Sequence, residues 1–134
     1  MLIKWEPKMT VGVKVIDEHH KQLIGLINTL FDAMRSDQGE AVVGGVLQQL
    51  GEYVQYHFDY EEGLLKKYDY PQFNSHHQEH QLLIGKLKVL QIKSSSHQAE
   101  LTIGVMHFLR DWLQNHILVS DMAYATFLQE KGIS

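Results

Sequence analysis

Apolar residues recur every three or four positions along most of this chain, the spacing that lines one face of an α-helix. The first stripe runs from Ile16 through Leu23, Ile24, Ile27, Leu30 and Phe31 to Met34. It predicts a helix that starts near Asp17, a favourable N-cap residue, and ends at the Ser36-Asp37-Gln38-Gly39 cluster. A second helix begins between Glu40 and Val46, with Val43, Leu47, Leu50, Val54 and Leu65 on its stripe. It stops before Tyr70-Pro71, because the residue preceding a proline disfavours the α region. Ser75 with Gln78 three later is a capping-box pattern and opens a third helix. Its Leu83, Leu87 and Leu90 share a face, and Ser94-Ser95-Ser96 closes it. A fourth runs from about Gln98 through Leu101, Val105, Phe108, Leu109 and Trp112 to His116, and a short fifth spans roughly Asp121 to Glu130. Residues 1–15, with Trp5, Pro7 and Gly12 among apolar Met9, Val11, Val13 and Val15, read as an extended arm packed on the body. The pattern therefore predicts one all-α domain over residues 1–134. Its expected form is an up-down-up-down antiparallel four-helix bundle with an extended N-terminal arm and a short C-terminal helix.

The apolar stripes are interrupted by polar residues, and always at one end. His20 lies on the first stripe, His57 and Glu61 on the second, His76 and His80 on the third, and His116 on the fourth. His57 and Glu61 are four apart, as are His76 and His80, so each pair can aim two ligand atoms at one spot. In an antiparallel bundle the starts of helices one and three lie beside the ends of helices two and four. Every one of these six residues falls on that side. Burying a polar group costs about 1–3 kcal/mol unless it is partnered, and a carboxylate costs far more. A bound cation removes that cost.

Six or seven inward groups exceed the roughly four ligands of a single zinc, so two ions fit better. Glu61 then needs a second bridging carboxylate, and Asp121 is the candidate. It follows His116 by five, which on a regular helix is about 140° out of line. A π-turn or a helix break at Ile117–Ser120 would bring it in, with Ser120 as N-cap of the next segment. Two octahedral ions offer roughly twelve positions. Five histidines, two bridging carboxylates and a bridging oxygen atom leave one open, on the ion with two histidines. Leu23, Ile24, Phe58, Trp112, Leu113 and Ile117 flank the ligands and make a small apolar pocket, fit for a diatomic molecule. Imidazole and carboxylate without thiolate suit iron, and also manganese, copper or zinc.

Composition narrows the setting. The chain has 134 residues, 44% of them apolar and 21% charged, enough for one packed core. A net charge of −4 gives no basic footprint, which argues against a nucleic-acid partner. With no cysteine there are no disulfides, thiolate zinc sites or iron–sulfur clusters. No apolar run approaches the ~18 residues of a membrane span, and the expectation is a soluble cytoplasmic protein, taken as a monomer. Nine histidines make histidine, the commonest metal ligand, the anomaly.

Together, several runs resemble the hemerythrin family, and within it the bacteriohemerythrins. They are Val11-Gly12-Val13 through Ile16-Asp17-Glu18-His19-His20-Lys21, His57-x-x-x-Glu61, Tyr70-Pro71 with His76-x-x-x-His80, and Trp112-Leu113-x-x-His116-Ile117-x-x-x-Asp121. The resemblance covers nearly the whole chain. It implies a non-haem di-iron centre with an oxo or hydroxo bridge that binds dioxygen reversibly, end-on at the two-histidine iron. It implies His76, His80 and His116 on one iron, His20 and His57 on the other, and Glu61 and Asp121 across both. One departure is His19, where glutamine is usual; it lies about 100° around the helix from His20. His77, His97 and His107 match no ligand position and are expected at the surface or behind the ligands.

Three functions follow from such a site. The first is oxygen binding for storage, transport, delivery to an oxygen-requiring enzyme, or sensing. The second is a di-iron peroxidase, oxidase or nitric-oxide-handling enzyme. No Glu-x-x-His occurs in the chain, which argues against a ferritin-like oxidase. The third is a metal buffer or zinc-binding module.

Overall fold

The structure, a computed structural model, describes residues 2–35, 40–95 and 103–134. Helix α1 spans Lys14–Arg35, α2 Glu40–Lys67, α3 Phe73–Ser95 and α4 Ile103–Asn115. A π-helical turn over His116–Asp121 continues α4 directly into α5, Met122–Glu130. The result is the expected four-helix bundle with a C-terminal helix. None of the described helices is long and apolar enough to cross a membrane.

Three boundaries differ from the sequence reading. Helix α1 starts at Lys14, three residues before Asp17, whose backbone N–H already donates to the Val13 carbonyl. The Asp17 carboxylate serves the arm instead: it accepts from the Val11 N–H at 2.8 Å and from the Thr10 hydroxyl at 2.5 Å. Helix α3 starts at Phe73, so Ser75 lies inside the first turn, and the His76 N–H donates to the Gln72 carbonyl. Ser120 caps nothing, because the backbone stays helical through Asp121 (φ −75°, ψ −35°) and Met122 (φ −64°, ψ −29°). The expected start of the fourth helix at Gln98 lies outside the described residues, as do the Ser36–Gly39 cluster and Ser96.

The arm is extended apart from one 3₁₀ turn over Pro7–Met9. The Asn28 side chain stitches it to α1: its Oδ1 accepts from the Leu2 and Ile3 N–H groups, and its amide donates to the Ile3 carbonyl. Gly12 turns the arm into α1 at φ +80°, a conformation that glycine adopts at little cost. Helix α2 ends in a Schellman motif with Asp69 at φ +57°. There the Tyr70 N–H reaches the Leu65 carbonyl and the Asp69 N–H the Lys66 carbonyl. Tyr70 and Leu65 also pack together in one core cluster, the apolar contact that usually accompanies this cap.

That cluster is the smaller of two. Val11, Val13, Ile16, Leu65, Tyr70, Tyr124, Ala125 and Leu128 close one end of the bundle. The larger includes Leu23, Ile24, Ile27, Leu47, Leu50, Val54, Phe58, Leu83, Leu87, Leu109, Leu113 and Ile117. Helices α1, α2 and α3 and the continuous α4–α5 run each pass from one cluster to the other, and the polar positions fall between. On α1 the order is Ile16, His20, Leu23; on α2 it is Phe58, Glu61, Leu65; after α4 it is Ile117, Asp121, Tyr124. The bundle thus carries one polar layer sealed on both sides by hydrocarbon.

Candidate metal centre

All seven predicted ligand positions meet in that layer. His20, His57, Glu61, His76, His80, His116 and Asp121 are each buried, and the two carboxylates have no exposed surface. Their side-chain atoms fall into two overlapping groups, each compact enough for one cation. One group is His76, His80 and His116 with Glu61 and Asp121; the other is His20 and His57 with the same two carboxylates.

The π-turn makes this possible. His116 and Asp121 are five apart, and the wider π register rotates each residue by less than the 100° of an α-helix. Asp121 therefore comes back onto the His116 face, with Oδ1 at 3.1 Å from His116 Nε2.

Each carboxylate divides its two oxygens between the two groups. Glu61 Oε1 lies 2.5 Å from His76 Nε2 and 3.1 Å from His80 Nε2, while Oε2 lies 3.0 Å from His57 Nε2. Asp121 Oδ1 lies 3.1 Å from both His76 Nε2 and His116 Nε2, while Oδ2 lies 2.9 Å from His20 Nε2. All five imidazoles turn Nε2 toward the carboxylates.

The donors fit a cation better than they fit one another. His20 Nε2, His57 Nε2 and both Asp121 oxygens make no hydrogen bond despite these short separations. On the far side of two other rings, Nδ1 faces a carboxylate. His80 Nδ1 donates to Glu62 Oε2 at 2.7 Å, and His116 Nδ1 lies 3.2 Å from Glu79 Oε2. A neutral ring that donates from Nδ1 presents a bare lone pair at Nε2. His80 Nε2 and His116 Nε2 lie 3.0 Å apart, close enough for one cation to take both. A carboxylate behind a metal-binding histidine is the usual arrangement for fixing its tautomer.

In the metal-free protein, protons stand in for the cation. Burial works against charging His20, His76 and His116, but Asp121 and Glu61 outweigh it and raise them to about 9, about 9 and about 10. His57 feels the same two carboxylates, but burial outweighs them, with the neighbouring His20 adding to it, and its pKa is lowered. Burial also pushes the two carboxylates upward, yet the surrounding imidazoles hold both well below the ordinary range.

The flanking residues divide. Leu23, Phe58 and Leu113 line a small cavity of about 10 Å³, together with Ile27, Leu50, Val54, Leu83, Leu87 and Leu109. Every lining residue is apolar. Leu23 and Leu113 are one turn from His20 and His116, and Phe58 stacks on His80 with ring centroids 3.6 Å apart. Ile24 and Ile117 are buried in the same cluster without lining the cavity, and Trp112 lies flat on the His116 ring at 4.6 Å.

Four functional positions escaped the sequence reading: Glu62, Glu79, Tyr124 and the role of His19. Tyr124 is fully buried and its hydroxyl donates to Glu61 Oε2 at 3.0 Å. Glu62 and Glu79 lie off the inward stripes, whereas Tyr124 continues the inward line from Asp121 to Leu128 and was legible there. A carboxylate next to a predicted ligand, as Glu62 is to Glu61 and Glu79 to His80, was the available signal. His77 sits half-exposed and pairs with Glu62 Oε1; His107 is exposed, and His97 lies outside the described residues.

A four-helix bundle with a buried histidine–carboxylate layer able to hold cations is the class that fold and site define. Comparison with known proteins makes it specific. Residues 11–128 match the family model described as the hemerythrin HHE cation-binding domain. The chain is 35% identical over 117 residues to the bacteriohemerythrin of Methylococcus capsulatus, covering 87% of this chain and 88% of the other. It is 31% identical over 124 residues to that of Stenotrophomonas maltophilia, covering 92% and 80%. A crystal structure of wild-type hemerythrin superposes with a TM-score of 0.89 at 32% identity, covering 94% of this chain and 97% of that one. The chain belongs to the hemerythrin family.

Proposed function

We propose that this protein binds dioxygen reversibly at a non-haem di-iron centre, for storage or for delivery to an oxygen-consuming enzyme. His76, His80 and His116 would hold one iron and His20 and His57 the other, with Glu61 and Asp121 each offering one oxygen to either side. The observation that carries this reading is the division of each carboxylate, one oxygen to each histidine group. A pair of iron ions supplies, when bound, the redox chemistry for taking up and releasing dioxygen.

The protein's own side chains do the rest. Three histidines against two make the halves unequal, so the His20–His57 half would hold its ion through fewer protein ligands and would be the side left for a small ligand. The two apolar clusters keep bulk water from the polar layer, and the cavity between Leu23, Phe58 and Leu113 gives a small gas molecule a dry place beside it. The Tyr124 phenol, raised well above 10 by burial and by Asp121 and Glu61, stays protonated and keeps its hydrogen bond to Glu61. None of the cavity walls offers an acid or base, which sets this reading above a peroxidase or oxidase.

Reduced, iron-loaded protein exposed alternately to air and argon tests the proposal. A charge-transfer absorption that appears with oxygen and vanishes on its removal, over repeated cycles, is expected. Rapid one-way oxidation or steady peroxide consumption would favour the enzyme, and no spectral change a metal buffer.

A further inference from the structure

The outer partners of the histidines are not alike. In the three-histidine half, His80 and His116 each have a carboxylate at Nδ1, from Glu62 and Glu79. Among the described residues, no carboxylate plays that part in the two-histidine half. His57 Nδ1 instead meets the Nδ1 of another histidine, His19, at 2.9 Å. His57 already directs Nε2 at Glu61, so its ring proton belongs on Nδ1 whenever Nε2 is to bind a cation. His19 Nδ1 must then be the acceptor, which leaves the His19 proton on Nε2.

His19 is built into this post. Only 6% of its surface is exposed, at the edge of the core stripe between buried Ile16 and Leu23 on one side and exposed Val15 and Gln22 on the other. Tyr53 and Tyr60 pack edge-to-face against its ring at 5.8 and 5.1 Å, and Tyr56 tilts over it at 5.2 Å. Three aromatic rings from α2 fix the imidazole plane, and His57 comes from that same helix.

We propose that His19 is a positioning residue for the two-histidine half: by accepting the His57 Nδ1–H it holds the tautomer that turns Nε2 toward the cation, so occupancy of that half depends on it. This inference rests on the di-metal reading above. Losing an outer partner of a metal ligand costs about 10–100-fold in affinity. The effect here falls on one ion of the two.

The test titrates metal-free protein with cobalt(II) under argon, following uptake by equilibrium dialysis and visible absorption. Wild type takes up two ions. His19→Leu, which has no acceptor, keeps the first and binds the second about 10–100-fold more weakly. His19→Gln, whose amide oxygen can accept the same proton, stays close to wild type. In zinc-loaded wild type, long-range proton–nitrogen NMR of the imidazoles finds the His57 proton on Nδ1, a readout that does not require the leucine variant to fold. The inference is overturned if His19→Leu binds both ions normally, if His19→Gln falls as far as His19→Leu, or if the His57 proton sits on Nε2. If wild type itself binds fewer than two ions, the di-metal reading is what fails.

Discussion

The Tyr124 hydroxyl donates to Glu61 Oε2 across 3.0 Å, joining the second apolar cluster to one of the two shared carboxylates. Both groups are fully buried, so no water can replace the bond. Hydrogen bonds to charged groups contribute about 1.5–3 kcal/mol. Tyr124→Phe keeps the ring and removes the donor, and should destabilise the metal-free protein by about that amount. Urea unfolding measures it; an unchanged midpoint would mean that the bond contributes nothing.

Shared and unshared ligands should fail differently. Glu61 contacts both histidine groups, whereas His57 belongs to one. Glu61→Gln should weaken both ions together, while His57→Ala should leave one ion in place. Metal analysis after gel filtration distinguishes them: well under one ion per chain in the first and about one in the second, against about two in wild type. Equal losses in the two variants would contradict a bridging role.

Stability of the metal-free protein should fall at alkaline pH. His20, His76 and His116 lie at about 9, about 9 and about 10 when folded, above the ordinary 6.5. A raised folded-state pKa contributes stability that is complete below the unfolded value and lost as pH rises through the folded one. The lowered His57 and His19 are neutral in both states above pH 7 and add no slope there. Chemical denaturation should therefore show a lower midpoint at pH 10 than at pH 7. Metal ions take over the protons' place, so loaded protein should lose less. A metal-free midpoint that rises over this range would refute the electrostatic account.

The cavity beside the site should accept an apolar gas. Leu23→Ala enlarges it next to His20 and, as a buried leucine truncation, should cost about 2–5 kcal/mol. Crystals of the variant under xenon pressure should show density between Leu23, Phe58 and Leu113. Ordered water in that space would argue against a dry pocket.

Which parts were legible beforehand follows from where information sits in a sequence. The 3–4 spacing of Leu23, Ile27, Leu50, Val54, Leu83 and Leu87 marks the bundle because burial selects it directly. His20, His57, Glu61, His76, His80 and His116 were readable as polar breaks in those stripes. Asp121 was readable only through its spacing from His116, which a π-turn alone could reconcile, and that turn is present. Asp17 misled because its carboxylate binds the arm at Val11 and Thr10, a contact ahead of the helix that periodicity does not encode. Glu62 and Glu79 face sideways from their helices and reach histidines on neighbouring ones, so no single-helix pattern reveals them.

Anomalous diffraction at the iron edge, from crystals of iron-loaded protein, tests the central claim most directly. Two peaks per chain are expected, one among His76, His80 and His116 and one between His20 and His57, each touching one oxygen of Glu61 and one of Asp121. A single peak, or two peaks that share neither carboxylate, would contradict the account.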